Sequence, residues 1–182
     1  MNLKILYEDN HLIAVYKPAG ILVQGGKSGK TNLMDEVKAY IKEKYKKPGN
    51  VFLGLLHRLD RPVSGIVLFA KTSKGAARLS EQFRDRLVKK IYHAIVVGKP
   101  PKQKDKLIHY LKKDTNNKKA VACEKQIAGC RRAELEYELL KTNGDFSFLK
   151  INLASGRFHQ IRFQLAAIGC PIAGDAKYGA DK

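Results

Sequence analysis

Strand-like apolar runs outnumber helical ones along this chain and do not alternate with them. That pattern favours an α+β fold over a doubly wound parallel sheet, which needs regular βαβ units. Leu3–Tyr7 and Leu12–Tyr16 alternate around the turn-forming Asp9-Asn10. Val51–Leu56, Ile66–Ala70, Ile91–Val97 and Phe146–Leu153 read as further strands, and Lys106–Lys141 as several more around a polar crossing at Asp114–Lys119. Leu33, Val37, Tyr40 and Ile41 recur at helical spacing before the breaker Lys47-Pro48-Gly49-Asn50. A second helix is expected from a Thr72 or Ser73 cap, burying Ala76, Leu79 and Phe83. A third is expected to carry Phe158, Ile161, Leu165 and Ile168 on one face, ending at Gly169 and Pro171.

A length of 182 residues supports one domain with its own core. No apolar run approaches the roughly 20 residues of a membrane helix, and Met1–Glu8 lacks the pattern of a signal peptide. Thirty-five basic residues against seventeen acidic ones leave a net charge of +18. A compact body with that excess repels itself unless it meets a polyanion, and nucleic acid is the commonest one. The same charge argues for a monomer. Lysines gather at Lys38, Lys42, Lys44, Lys46 and Lys47 and again at Lys112, Lys113, Lys118 and Lys119, as phosphate contacts do. Cys123, Cys130 and Cys170 are odd in number and lack zinc spacing, so ordinary thiols in a reduced, cytoplasmic protein are expected.

Gly25-Gly26-Lys27-Ser28-Gly29-Lys30-Thr31 imitates a phosphate-binding loop between a strand and a helix. The motif needs glycine five residues before Gly29, where this chain has Gln24, so a basic loop is favoured over a nucleotide hydrolase. The stretch His57-Arg58-Leu59-Asp60-Arg61-Pro62-Val63-Ser64-Gly65 is more specific. It is a highly polar loop between two apolar strands, where a rigid scaffold presents functional groups. A single carboxylate among His57, Arg58 and Arg61 is favoured in its ionised form, as a nucleophile or a counter-charge. Asp60–Arg ion pairs that merely tie the loop together would explain the same pattern.

His57–Gly65 resembles the signature H-R-L-D-x-x-[ST]-G of the RluA-like family of pseudouridine synthases. Three further stretches resemble family motifs in the same order. These are Lys17-Pro18-Ala19-Gly20-Ile21-Leu22-Val23, Lys90–Gly98 around Tyr92, and Ser155-Gly156-Arg157-Phe158-His159-Gln160-Ile161-Arg162, followed by Gly174-Asp175 and Tyr178-Gly179. Val63 and Ser155 stand where the family has threonine. The resemblance implies a largely antiparallel, bent sheet with flanking helices and a central RNA-binding catalytic cleft, the pseudouridine synthase fold. It implies isomerisation of uridine in ribosomal or transfer RNA, with no cofactor, no metal and no ATP. Asp60 matches the catalytic aspartate, acting on the sugar C1′ or on C6 of the base. Tyr92 matches the tyrosine that stacks on uracil, and Arg162 the arginine that pairs with the aspartate. Arg58 matches the residue that fills the space left by a flipped base; Arg61 and His57 share its loop and are assigned with it to RNA. His57 and His159 also read as supports of loop and helix.

Family members normally continue beyond the position of Lys182, so a truncated C-terminal end is expected, as is the lack of a small N-terminal RNA-binding domain before Leu3. A non-catalytic RNA-binding module on the same scaffold is the alternative. The presence of Asp60, Tyr92 and Arg162 together argues against it.

Overall fold

Asp9 starts the fold by closing the first hairpin. Its carboxylate accepts the N–H groups of His11 at 2.7 Å and Leu12 at 2.6 Å, turning the chain between β1 (Ile5–Glu8) and β2 (Leu12–Lys17). In a computed structural model, residues 3–25, 31–125 and 127–180 are described. The glycine- and lysine-rich loop after Gln24 falls largely outside them. The chain forms two compact units, Met1–Leu87 and Val88–Lys182.

In the first unit, β1 and β2 are followed by α1 (Leu33–Lys44), β3 (Gly54–Leu55), β4 (Gly65–Ala70) and α2 (Ser73–Arg84). The four strands make an antiparallel sheet in the order β1-β2-β4-β3. Ile13, Val15, Val67 and Phe69 point to one face and bury it against Leu33, Val37 and Ile41 of α1. Asn32 caps α1, accepting the Asp35 N–H, and acidic residues in its first turn and lysines in its last suit the helix dipole. Thr72 caps α2 as expected. Only Gly75 of that helix is fully buried, while Ala76, Leu79 and Phe83 are half-buried. The reason is close packing: a Cβ on Gly75 would meet the His11 carbonyl at 3.3 Å.

The second unit holds β5 (Ile91–Val97), β6 (Lys104–Asp114), β7 (Lys119–Ala122), β8 (Arg131–Asn143), β9 (Phe146–Leu153) and α3 (Gln160–Ala167). Its antiparallel sheet runs β5-β9-β8-β6-β7. Alternation directs Leu135, Leu149, Ile151 and Val96 to the face that Leu165 of α3 covers. Helices and antiparallel sheets without βαβ units give the α+β class predicted from the sequence.

Besides the burial on α2, the strand expected over Val51–Leu56 is confined to Gly54–Leu55, and two further expectations need correction. Phe158 lies before α3, not on its buried face, and is 39% exposed. His159 causes this, taking a left-handed conformation (φ 49°, ψ 27°) that turns the chain just ahead of the helix. Cys123 and Cys130 are joined in a disulfide, so only Cys170 is a thiol, and it is buried. Strand register explains the pairing. Ala122 of β7 and Arg131 of β8 both sit opposite Leu111 of β6, one on each side, which brings the cysteines that follow and precede them within a Cα–Cα distance of 6.2 Å.

Candidate active site

Lys17 continues the inward alternation of Ile13 and Val15, so its side chain enters the first core and is fully buried. A buried ammonium must find acceptors, and this one finds three. Its Nζ donates to the carbonyls of Pro18 at 3.0 Å, Ile21 at 2.9 Å and Arg61 at 3.2 Å. The turn that supplies the first two depends on Gly20, whose φ of +87° suits glycine. Gly20 also pairs reciprocally with Arg61: its N–H donates to the Arg61 carbonyl at 2.8 Å, and Arg61 Nε donates to the Gly20 carbonyl at 2.9 Å. Burial pushes the Lys17 ammonium below its usual range, and the Asp60 carboxylate opposes that shift.

The lysine motif and the aspartate motif are therefore one clamp. Within it, the Asp60 carbonyl accepts the Val63 N–H at 3.0 Å in a tight turn, and Leu59 packs against the first core. His57 Nε2 accepts the Leu68 N–H at 3.1 Å, and its ring stacks on Phe83 with centroids 5.4 Å apart. Asp60 and His57 are half-buried, whereas Arg58 and Arg61 are exposed. His57, Arg58, Asp60 and Arg61 thus share one loop of the first unit.

Tyr92 and Arg162 belong to the second unit. Tyr92 sits on β5 opposite Ile151, half-buried at the margin of the second core, on the sheet face that α3 covers. Arg162 is on α3, and its guanidinium meets Asp175 side-on. Nε donates to Oδ2 and Nη2 to Oδ1, both at 2.6 Å. Nη1 contacts His159 Nε2 at 2.9 Å, and the cation lies 4.9 Å from the centroid of the Tyr178 ring. An arginine can only donate, so His159 accepts at Nε2, and a neutral ring carries its proton on Nδ1. That atom lies 3.0 Å from Tyr178 Oη, which also accepts the Ala120 N–H at 2.6 Å.

Gln160 locks the start of α3. Its Oε1 accepts from Ser155 Oγ at 2.8 Å and from the Arg157 N–H at 3.0 Å, while Nε2 donates to Gln164 Oε1 at 2.9 Å. Ser155 Oγ accepts the Glu134 N–H at 2.8 Å. Serine in place of the family threonine keeps the hydroxyl that these bonds use. Asp175 and Lys17 had no role assigned from sequence, although both stand inside quoted motifs. Among the described residues no three His, Cys, Asp or Glu side chains converge to hold a metal ion. No helix there is long and apolar enough to cross a membrane.

The chain thus presents two antiparallel sheets with helices, one bearing a clamped His-Arg-Leu-Asp loop and the other a buttressed arginine. The solved human RNA pseudouridylate synthase domain containing 4 is similar to it, with a TM-score of 0.82 and 26% identity over 97% of this chain and 69% of that one. A family model described as RNA pseudouridylate synthase matches residues 11–167, and the chain belongs to that family. It is 36% identical over 183 residues to the ribosomal large subunit pseudouridine synthase C of Rickettsia bellii, covering 98% of this chain and 57% of that protein. It is 32% identical to the ribosomal large subunit pseudouridine synthase D of Borreliella burgdorferi, covering 96% and 54%. The chain thus spans about half the length of the curated relatives it matches.

Proposed function

We propose that this chain converts specific uridines in RNA to pseudouridine, with Asp60 as the nucleophile. Ribosomal RNA is the favoured substrate, since relatives in both bacteria carry that name, and transfer RNA is the other candidate. The reaction breaks the N1–C1′ bond, turns the uracil and forms a C5–C1′ bond; the C5 proton leaves to water by way of Tyr92, and N1 gains a proton from water in its place. Atoms and electrons balance within the substrate. Asp60 adds to C1′ or to C6, Tyr92 stacks on the uracil and takes up the proton, and Arg162 holds the carboxylate ionised. Reaching a stacked uridine requires extruding it, at a cost of a few kcal/mol, which Arg58 offsets by filling the gap. Arg58 is exposed on the Asp60 loop, as that role requires. We assign the two compact units to one catalytic domain, acting on RNA in the cytoplasm.

The observation that carries this reading is the clamp beneath Asp60. Three carbonyl bonds from a buried lysine, one of them to the residue next to Asp60, fix the backbone that carries a half-buried carboxylate between the exposed Arg58 and Arg61. The test is tritium release from RNA transcribed with 5-tritiated uridine, using the parent chain and Asp60→Asn. Release by the parent alone is expected, with RNA affinity nearly unchanged in Asp60→Asn because the amide keeps the shape and loses the nucleophile. Turnover by Asp60→Asn near that of the parent would refute the assignment.

A further inference from the structure

We infer that Phe158 and the β6–β7 hairpin of the second unit form a docking surface for single-stranded RNA, on which an unpaired base stacks on Phe158. Lys113, Lys118, Lys119 and Arg157 hold the phosphates around that base. The inference rests on RNA being the partner, as proposed above. It concerns a nucleotide other than the reacting uridine, whose stacking partner is Tyr92.

Phe158 is a built platform rather than a stray apolar side chain. The left-handed turn at His159 swings it out of α3, and a non-glycine residue is held in that conformation only when its surroundings demand it. Here they do: Arg162 and Tyr178 grip both ring nitrogens of His159. The His159 imidazole in turn backs the phenyl ring, with centroids 3.9 Å apart and planes 17° from parallel. One face of Phe158 is therefore supported. Over the ring stands Lys113, its ammonium 5.0 Å from the centroid. A surface cation–π contact of this kind is worth only about 0.5–1 kcal/mol, so a nucleobase can displace it. The displaced ammonium then reaches the adjoining phosphate.

The hairpin beside it is positively charged and rigid. Asp114 accepts the backbone N–H groups of Asn116 at 2.9 Å and Asn117 at 3.1 Å, together with the Asn117 side-chain amide at 2.8 Å, which fixes the turn. Lys177 Nζ donates to the Lys118 carbonyl at 3.1 Å and ties the turn to the segment after α3. Nearby carboxylates are already engaged: Asp175 with Arg162, and Glu134 with Lys106 and Arg132. Among the described residues, Lys113, Lys118, Lys119 and Arg157 form no ion pair. Lys113 and Lys119 stand over the Phe158 and Tyr178 rings, and Arg157 Nε donates to the Arg132 carbonyl at 3.1 Å. These cations thus keep their charge beside a supported, exposed ring, which matches the chemistry of a base with its flanking phosphates. A duplex offers the phosphates without the free base face, so the surface distinguishes the two forms.

The test is fluorescence anisotropy of the full chain with a labelled, unstructured RNA of roughly 12 nucleotides and with the same sequence as a duplex. Phe158→Ala is expected to weaken single-strand binding roughly 5- to 100-fold, with an unchanged salt slope and little effect on the duplex. Phe158→Trp should restore it. Replacing Lys113, Lys118 and Lys119 by alanine should flatten the log–log salt dependence by about 2 for the single strand. Lys113→Ala alone should flatten it by about 0.7, which covers the case of a triple variant that fails to fold. Single-strand affinity of Phe158→Ala equal to the parent's, or equal losses for strand and duplex, overturns the inference, as does preference for an acidic peptide over RNA. Tritium release measured on the same preparations separates the two readings. Binding that depends on Phe158 without release by the parent would sink the isomerase alone, and release with Phe158-independent binding would sink the docking surface alone.

Discussion

Asp175 takes two of the five N–H groups of Arg162, and His159 takes a third. The pair is nearly buried, with the arginine side chain 18% exposed and the aspartate 8%, so it does not behave like a surface ion pair. Asp175→Ala would remove the side-on carboxylate from a nearly buried guanidinium. We expect it to lower unfolding stability by about 3 kcal/mol, read as a fall in the urea midpoint at constant slope. A loss below about 1 kcal/mol would show that water replaces the carboxylate there. The Asp60 loop was legible in the sequence because its polarity contrasts with its immediate neighbours. The Arg162–Asp175 bond was not, because no local pattern says which carboxylate returns to a helix thirteen residues earlier.

At the scale of elements, Glu8 joins β1 to its surroundings. It accepts from Tyr40 and Lys44 of α1, from Tyr45 just beyond that helix, and from Lys71 after β4, at 2.6 to 2.9 Å. Burial pushes its carboxyl up, but hydrogen bonds from the two lysines and two tyrosines outweigh that and lower it to about 2. A depressed carboxyl stabilises the fold above its unfolded value of 4.5, and that contribution disappears as the pH falls through about 2. Glu8→Gln should therefore be less stable than the parent at neutral pH and approach it between about 4.5 and 2, in urea titrations at stepped pH. A stability gap that stays constant over this window would exclude the linkage. Strands and helices were legible from their periodicity, and β5 and β9 match their predicted spans. The place of Phe158 outside α3 was not, since it turns on one backbone dihedral. The cysteine pairing was not either, since it follows from the register of three strands.

For the whole molecule, a charge of +18 predicts that electrostatics is the main sequence-independent part of the proposed RNA binding. Affinity plotted against salt on logarithmic axes should fall with a slope of about −0.7 per phosphate contacted, and a flat plot would remove charge as the driving force. The clamp on Lys17 bears on a different quantity. Fixing a residue in one backbone conformation costs about 1–2 kcal/mol of entropy at room temperature. The bonds from Lys17, Gly20 and Arg61 that close around the Asp60 loop all have their partners within the chain itself. The disorder of that loop is thus given up when the protein folds, and the binding of a substrate does not have to supply it.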